Sequence, residues 1–308
     1  MKKIDAVLVG DIHIRAKVPV CRTSEFLNDQ KSKLRFIRRT FHEALKTNSN
    51  CRLLIAGDLF NNWNASAEEI LIATILLRYR DVCICPPGNH DLGYHSSSTP
   101  SAYNVARRAR WVQRLDTLKE AAYTSMGFNE DEPVIGLEHN DDDSMRRVLV
   151  AHKMVWTEGS KPMPTLDAKD NAQNFLKRWS DYDLIVTEDN HMRFVVHHNG
   201  RLLVNPGSMM RTRADQCDHI PAIYLWSAED NSIKEVKIPM RLWEEVDAAF
   251  HTPGEVSVDA KKLCAFVKMV GNGKHVTLDF KRNLMRVIDS LDENAKEIKE
   301  MAKLLLGE

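Results

Sequence analysis

The sequence predicts an α/β protein built on a mixed, two-layer sheet core, followed by a C-terminal helical segment. Three observations carry this expectation. Short, almost continuously apolar runs recur along the chain, as strands covered on both faces require. Stretches with apolar residues at helical spacing separate the first three runs, so strand and helix alternate. Beyond residue 193 the pattern changes to paired strands joined by tight-turn signals.

The first strand is read at "AVLVG" (6–10). A helix follows within 28–46, where Leu34, Ile37, Phe41 and Leu45 share one face. "RLLIAG" (52–57) is the second strand. Ser66 then opens a helix over "SAEEILIATILLRYR" (66–80) as its N-cap. "VCICPPG" (82–88), "RRVLVAH" (146–152) and "DLIVT" (183–187) are the next three strands. Asn199-Gly200 centres a hairpin over 194–205, because both residues tolerate the left-handed backbone of a two-residue turn. A second hairpin is expected over 222–238. Pro253-Gly254 introduces a region rich in helix formers, dividing the chain into 1–240 and 241–308. Within 280–306, Leu284, Ile288, Leu291, Ala295, Ile298, Ala302 and Leu305 alternate steps of four and three. Such a stripe either docks on its own domain or forms a seam for a partner coiled coil.

At 308 residues the chain can bury a core without disulfides or metal. Its 43 basic and 43 acidic side chains cancel, so any polyanion binding must come from local patches. Six dilute cysteines fit a reduced, cytoplasmic protein. Asp5, Asp11 and His13 make the N-terminal region a first strand and a poor signal sequence. No run approaches the roughly 20 apolar residues of a membrane span.

The strand ends carry the chemistry. The five apolar strands finish in Asp11-Ile12-His13, Gly57-Asp58, Gly88-Asn89-His90-Asp91, His152 and Glu188-Asp189-Asn190-His191. Strand ends of an α/β sheet converge on one crevice. Carboxylates, imidazoles and an amide gathered there suit two metal ions, since two close cations need a bridging carboxylate between them. Glycine before a ligand is expected to sharpen the turn and let substrate approach the backbone.

This ordered set resembles the calcineurin-like metallophosphoesterases over residues 4–226, with Gly-Asn-His-Asp its most specific element. The resemblance implies a two-layer β-sandwich flanked by helices and two divalent ions, manganese foremost with magnesium the other choice. It implies that Asp11 and His13 bind the first ion with His191, that Asp58 bridges, and that Asn89 and His152 hold the second. His90 would protonate the leaving oxygen or steady the phosphorus, with Asp91 orienting it. The segment "LLVNPGSMMRTRADQCDHIPAIYLW" (202–226) is similar to that of SbcD-type DNA nucleases, including phage-encoded relatives.

One stretch departs from the family pattern. Where its closing motif reads Gly-His-x-His, this chain has Glu188-Asp189-Asn190-His191. Asp189 substitutes a hard oxygen for nitrogen at the second ion, favouring manganese or magnesium. Three fates are open to Glu188: ligating, facing solvent, or damaging the site. Arg107, Arg108, Arg110 and Arg114, and Lys31, Lys33, Arg35, Arg38 and Arg39, are candidates for gripping phosphate, or else solvated helix faces. The expected activity is metal-dependent DNA exo- or endonuclease cleavage by a two-metal mechanism. The alternatives are a small-molecule phosphodiesterase or phosphomonoesterase, and a catalytically impaired DNA- or partner-binding subunit. Expected partners are DNA, a second copy of the chain, and, by resemblance, an SbcC-type coiled-coil ATPase through 280–306.

Overall fold

The computed structural model describes residues 2–118, 121–134, 145–160, 166–212 and 216–247. In chain order its strands are β1 (Ala6–Val9), β2 (Arg52–Ile55), β3 (Cys83–Ile84), β4 (Asp116–Thr117), β5 (Ala121–Met126), β6 (Arg146–His152), β7 (Leu184–Glu188), β8 (Phe194–His198), β9 (Arg201–Asn205), β10 (Ala222–Ser227) and β11 (Ser232–Lys237). The helices are α1 (Glu25–Thr47), α2 (Ala67–Ala73), α3 (Ala102–Arg108), α4 (Ala172–Arg178) and α5 (Trp243–Val246). One sheet runs β11-β10-β1-β2-β3 and the other β4-β5-β6-β7-β9-β8. The chemistry-bearing strands are parallel within each sheet, β1 with β2 and β3, and β5 with β6, β7 and β9.

The continuous apolar runs are explained by what covers each face. Ala6, Leu8, Leu54 and Ile84 of the first sheet meet Val148, Val150, Leu184, Val186 and Val204 of the second. The alternate residues Val7, Val9, Leu53, Ile55 and Cys83 pack under Phe26, Leu34, Ile37 and Phe41 of α1. On the far side, Leu149, Ile185 and Leu203 lie beneath Phe175 and Leu176 of α4. Strand periodicity of two thus feeds two apolar layers at once. The result is the expected β-sandwich flanked by helices.

Helix α1 is longer than expected, and α2 is shorter. Ser66 caps α2 in a reciprocal box, its Oγ accepting from Glu69 N (3.3 Å) while Glu69 Oε2 accepts from Ser66 N (2.6 Å). The helix ends at Ala73 because Thr74 Oγ1 donates to Leu71 O at 2.7 Å, competing with the helical ladder, and the next turns tighten. The hairpin turn forms as expected, with Asn199 at φ 50° and Gly200 at φ 73°. Residues 241–247 pack against the start of α1, where Thr23 N donates to Val246 O (2.9 Å) and the Arg22 guanidinium lies 4.1 Å from the Trp243 ring. The stripe at 280–306 and the acidic "NDDDS" at 140–144 lie outside the described residues. No described helix is long and apolar enough to cross a membrane.

Candidate metal centre

The C-terminal ends of β1, β2, β3, β6 and β7 open onto one edge of the sandwich, and the side chains expected there converge. The loops after β1 and β2 are locked together by His13 N donating to Asp58 O (2.9 Å) and Ile14 N to Leu59 O (3.0 Å). His13, Asp58 and Asp189 hold positive φ values of 48°, 40° and 89°. Non-glycine residues pay about 1–3 kcal/mol each for such backbone, a strain typical of functional loops. Gly57, at φ 116°, makes the sharp turn expected before Asp58, and the glycines also serve a second purpose. A Cβ at Gly57 would strike the His152 ring and one at Gly88 the Asp58 carboxylate, so the space is taken by candidate ligands from other strands.

Three overlapping sets of donors lie within 4.8 Å of one another: Asp11, His13 and His191; His13, Asp58 and His90; and Asp11, Asp58 and His152. Asp58 Oδ2 is 3.7 Å from His13 Nε2 and 3.7 Å from His152 Nε2, a position between two sets. His13 Nε2 and His191 Nε2 face each other at 3.3 Å, and His191 Nε2 is 3.4 Å from Asp11 Oδ2. Both Asp11 carboxylate oxygens are buried without a hydrogen-bond partner. A buried anion surrounded by inward-facing imidazole nitrogens is costly unless a cation completes it. The donor set therefore fits divalent ions, which Asp11, His13, His191, Asp58 and His152 can hold.

Burial and neighbouring charge polarise these groups. Burial raises the Asp11 carboxyl well above its ordinary range, with Asp58 and Asp189 adding to the rise and His152 opposing it. Burial, then the neighbouring His191 and His90, push His13 well down, leaving its imidazole neutral. For His152 burial also disfavours the charge, yet Asp58, Asp11 and Asp189 together lift it to about 9. Its Nδ1 lies 2.9 Å from Ala56 O, while Nε2 is 3.0 Å from Asn89 Oδ1 and 3.9 Å from Asp189 Oδ1. The carbonyl fixes Nδ1 as the donating nitrogen and leaves Nε2 for a cation.

His90 is the exposed member, at the mouth of the cluster. Asp91 does not orient it, contrary to expectation. The Asp91 carboxylate is fully buried and accepts from Leu59 N (3.1 Å), Phe60 N (3.0 Å) and Gly88 N (3.1 Å), joining the β2 and β3 loops. His90 is instead held by Asn61, whose carbonyl oxygen lies 2.7 Å from Nδ1. Asn61 carries no signal of its own in sequence, because it acts through its backbone.

Glu188 does not face solvent. It ends β7 with no exposure, Oε2 accepting from Gly207 N at 3.1 Å and Oε1 buried without a partner. The chain around Gly207 supports the ligands, since Ser208 N donates to His191 O (3.1 Å) and Met209 N to Asp11 O (2.8 Å). Glu188 thus ties this strap to the centre, but its charge crowds Asp11. Burial foremost, then Asp11, raises its carboxyl well above the usual range. Glu188→Gln keeps the acceptor for Gly207 and removes the charge. It is expected to raise the melting midpoint of the metal-free protein by about 2–5 °C. A drop in the midpoint would show that the carboxylate itself is needed.

The candidate phosphate-binding arginines are scattered. Arg110 pairs with Asp81 at the entry of β3, on the side of the sheet away from the ligand-bearing strand ends, and Arg114 pairs with Glu130. Those two are corrected to structural roles. Lys33 is also corrected, since it is buried against Asp29 at 2.8 Å. Arg107 lines the same surface hollow as Arg110, and Arg108 closes α3. Arg35, Arg38, Arg39 and Arg78 do gather, in a groove of about 650 Å³ on the outer face of α1. Among the described residues no carboxylate forms an ion pair with these four. A smaller hollow of about 270 Å³ adjoins His152 and Asp189, lined in part by Lys153, Lys169 and Arg178.

A family model described as calcineurin-like phosphoesterase matches residues 5–220. No curated protein matches the chain. Similar solved structures include a provisionally assigned 5′-nucleotidase from Staphylococcus aureus in complex with alpha-ketoglutarate, with 11% identity, TM-score 0.48 and 86% of this chain covered. The chain spans 58% of that protein's length. A novel archaeal phosphodiesterase is 12% identical (TM-score 0.40; 76% of this chain and 99% of that one). Vacuolar protein sorting 29 from Cryptosporidium parvum is 15% identical (TM-score 0.34; 76% and 96%).

Proposed function

The chain belongs to the calcineurin-like phosphoesterase family, and from that premise we propose that it is a metal-dependent DNA nuclease of the SbcD type. The observation that carries the hydrolytic part is the pair of donor sets that share Asp58, buried in all members but His90. In this reading Asp11, His13 and His191 hold one divalent ion and Asn89, His152 and Asp189 the other, with Asp58 between. Manganese or magnesium, when bound, neutralises charge on the phosphoryl oxygens and makes water a better nucleophile. The chain's own contribution is a rigid frame and a proton donor. Asn61 fixes Nδ1 of His90, leaving Nε2 to deliver a proton to the leaving oxygen. The preference for a polymer is supported by the groove where Arg35, Arg38 and Arg39 of α1 meet Arg78, which suits a phosphate backbone in a protein of zero net charge.

A second reading, a small-molecule phosphodiesterase, is favoured by the compact hollow beside His152 and Asp189. End-labelled duplex and single-stranded DNA, incubated with the purified protein in manganese, magnesium or chelator beside a chromogenic diester, separates the two. The nuclease reading expects manganese-dependent degradation that chelator abolishes. Turnover of the small ester alone would transfer the assignment to the second reading, and no turnover in any metal would point to an impaired, binding subunit.

A further inference from the structure

Four residues beyond His90 the chain spends conformational energy to hold an aromatic ring in water. Tyr94 is 83% exposed, the largest exposure of any described aromatic side chain. It sits at φ 52°, ψ 33°, and His95 after it is also left-handed at φ 57°. Two consecutive non-glycine residues in this region are strained, and such strain persists only where the surroundings impose it. The surroundings do so here. His95 N donates to Leu92 O (3.1 Å), Ser96 N donates to Gly93 O (3.0 Å), Asn129 bonds the His95 carbonyl, and the His95 ring lies 5.5 Å from Phe128. These bonds hold the backbone on both sides of Tyr94 while its ring stays in water.

The ring is not alone. Trp63 lies 5.6 Å away, centroid to centroid, with the two planes at 44°. Trp63 is half-buried and anchored, its carbonyl accepting from Ala102 N at 2.7 Å. The two rings come from the two loops that position the candidate proton donor. Trp63 lies two residues beyond Asn61, which holds His90, and Tyr94 lies four residues beyond His90 itself. Four residues of chain cannot separate two Cα atoms by more than about 14 Å. That is roughly the span of one or two nucleotides from a phosphate held at His90.

A core tyrosine would be covered, and a surface tyrosine in an ordinary turn would need no strain. We propose that Tyr94, braced by Trp63, is a stacking platform for a nucleobase next to the scissile phosphate. An aromatic face beside a phosphate site takes a flat, weakly polar group covalently near that phosphate, which in a nucleotide polymer is the base. The platform rests on the reading of the substrate as nucleic acid and adds a contact to the base where the metal centre contacts only phosphate. Stacking tolerates every base, so it confers a demand for bases without a demand for sequence.

The test is equilibrium binding by the full chain in chelator, where no hydrolysis occurs. A fluorescent single strand with all its bases is compared with an abasic strand of the same length, on wild-type protein, Tyr94→Ala and Tyr94→Trp. Tyr94→Ala is expected to weaken binding of the intact strand about tenfold and leave the abasic strand unchanged. Tyr94→Trp, with a larger ring, is expected to retain wild-type binding. Equal losses on the two strands, no loss on either, or wild-type protein that does not distinguish the strands would each overturn the platform. Absence of cleavage in manganese would instead reject the nuclease reading, so the two failures are distinguishable.

Discussion

Asp58→Asn is expected to lower turnover by on the order of 10³-fold or more while leaving the fold intact. Its Oδ2 stands 3.7 Å from an imidazole nitrogen of each neighbouring set, and Oδ1 accepts from His90 N at 2.9 Å. Asparagine keeps an oxygen for the His90 amide and nearly the same volume. It loses the charge on which two cations held close together depend. Removing that charge also relieves Asp11, Asp91 and Glu188, whose carboxyls Asp58 helps to push up. Against that relief stands His152, which Asp58 helps to lift to about 9, so the metal-free variant should melt close to the wild type. Three readouts separate chemistry from folding: turnover, metal stoichiometry by elemental analysis, and the melting midpoint in chelator. Turnover within tenfold of wild type would remove Asp58 from the centre.

The candidate ligands were legible in sequence because each ends a strand whose apolar character announces it. The strand-end rule alone gathers Asp11, His13, Asp58, Asn89, His152, Asp189 and His191 on one edge, while their division between two ions came from the family resemblance. What escaped is whatever acts through backbone or through pairing. Asn61 holds His90 by its carbonyl, and any residue has one. Asp91 reads as a partner for its neighbour, but on the far side of the turn three amides claim it. Arg110 and Arg114 look free in sequence and are committed to Asp81 and Glu130 through contacts 29 and 16 residues distant. Strand β5 escaped for another reason. Its Ala-Ala-Tyr-Thr-Ser-Met is buried throughout yet barely apolar, since small residues suffice where sheet and loop press close. Helices α3 and α4, seven residues each, are too short to show a period.

Asp91→Ala is expected to destabilise the protein by roughly 3–5 kcal/mol, more than an average core substitution. The side chain has no exposure, and its two oxygens serve three backbone amides from two loops. Burial, followed by Asp58, raises its carboxyl to about 7 even though the three amides pull the other way, a measure of how far it lies from water. Alanine leaves three buried donors without an acceptor. Each orphaned group costs about 1–3 kcal/mol, and some relaxation of the loops keeps the total below the sum. Those loops carry Asp58 on one side and Asn89 and His90 on the other, so the damage reaches the centre without Asp91 touching substrate. Urea denaturation should show the loss. Hydrogen exchange should place it at the amides of Leu59, Phe60 and Gly88, which exchange faster than their strand neighbours only if Asp91 was their partner. Asp91→Asn, which retains one carbonyl oxygen for two of the three donors, should fall between. A midpoint within about 1 kcal/mol of wild type for the alanine variant, with slow exchange at all three amides, would mean that the loops are held by the sheet alone.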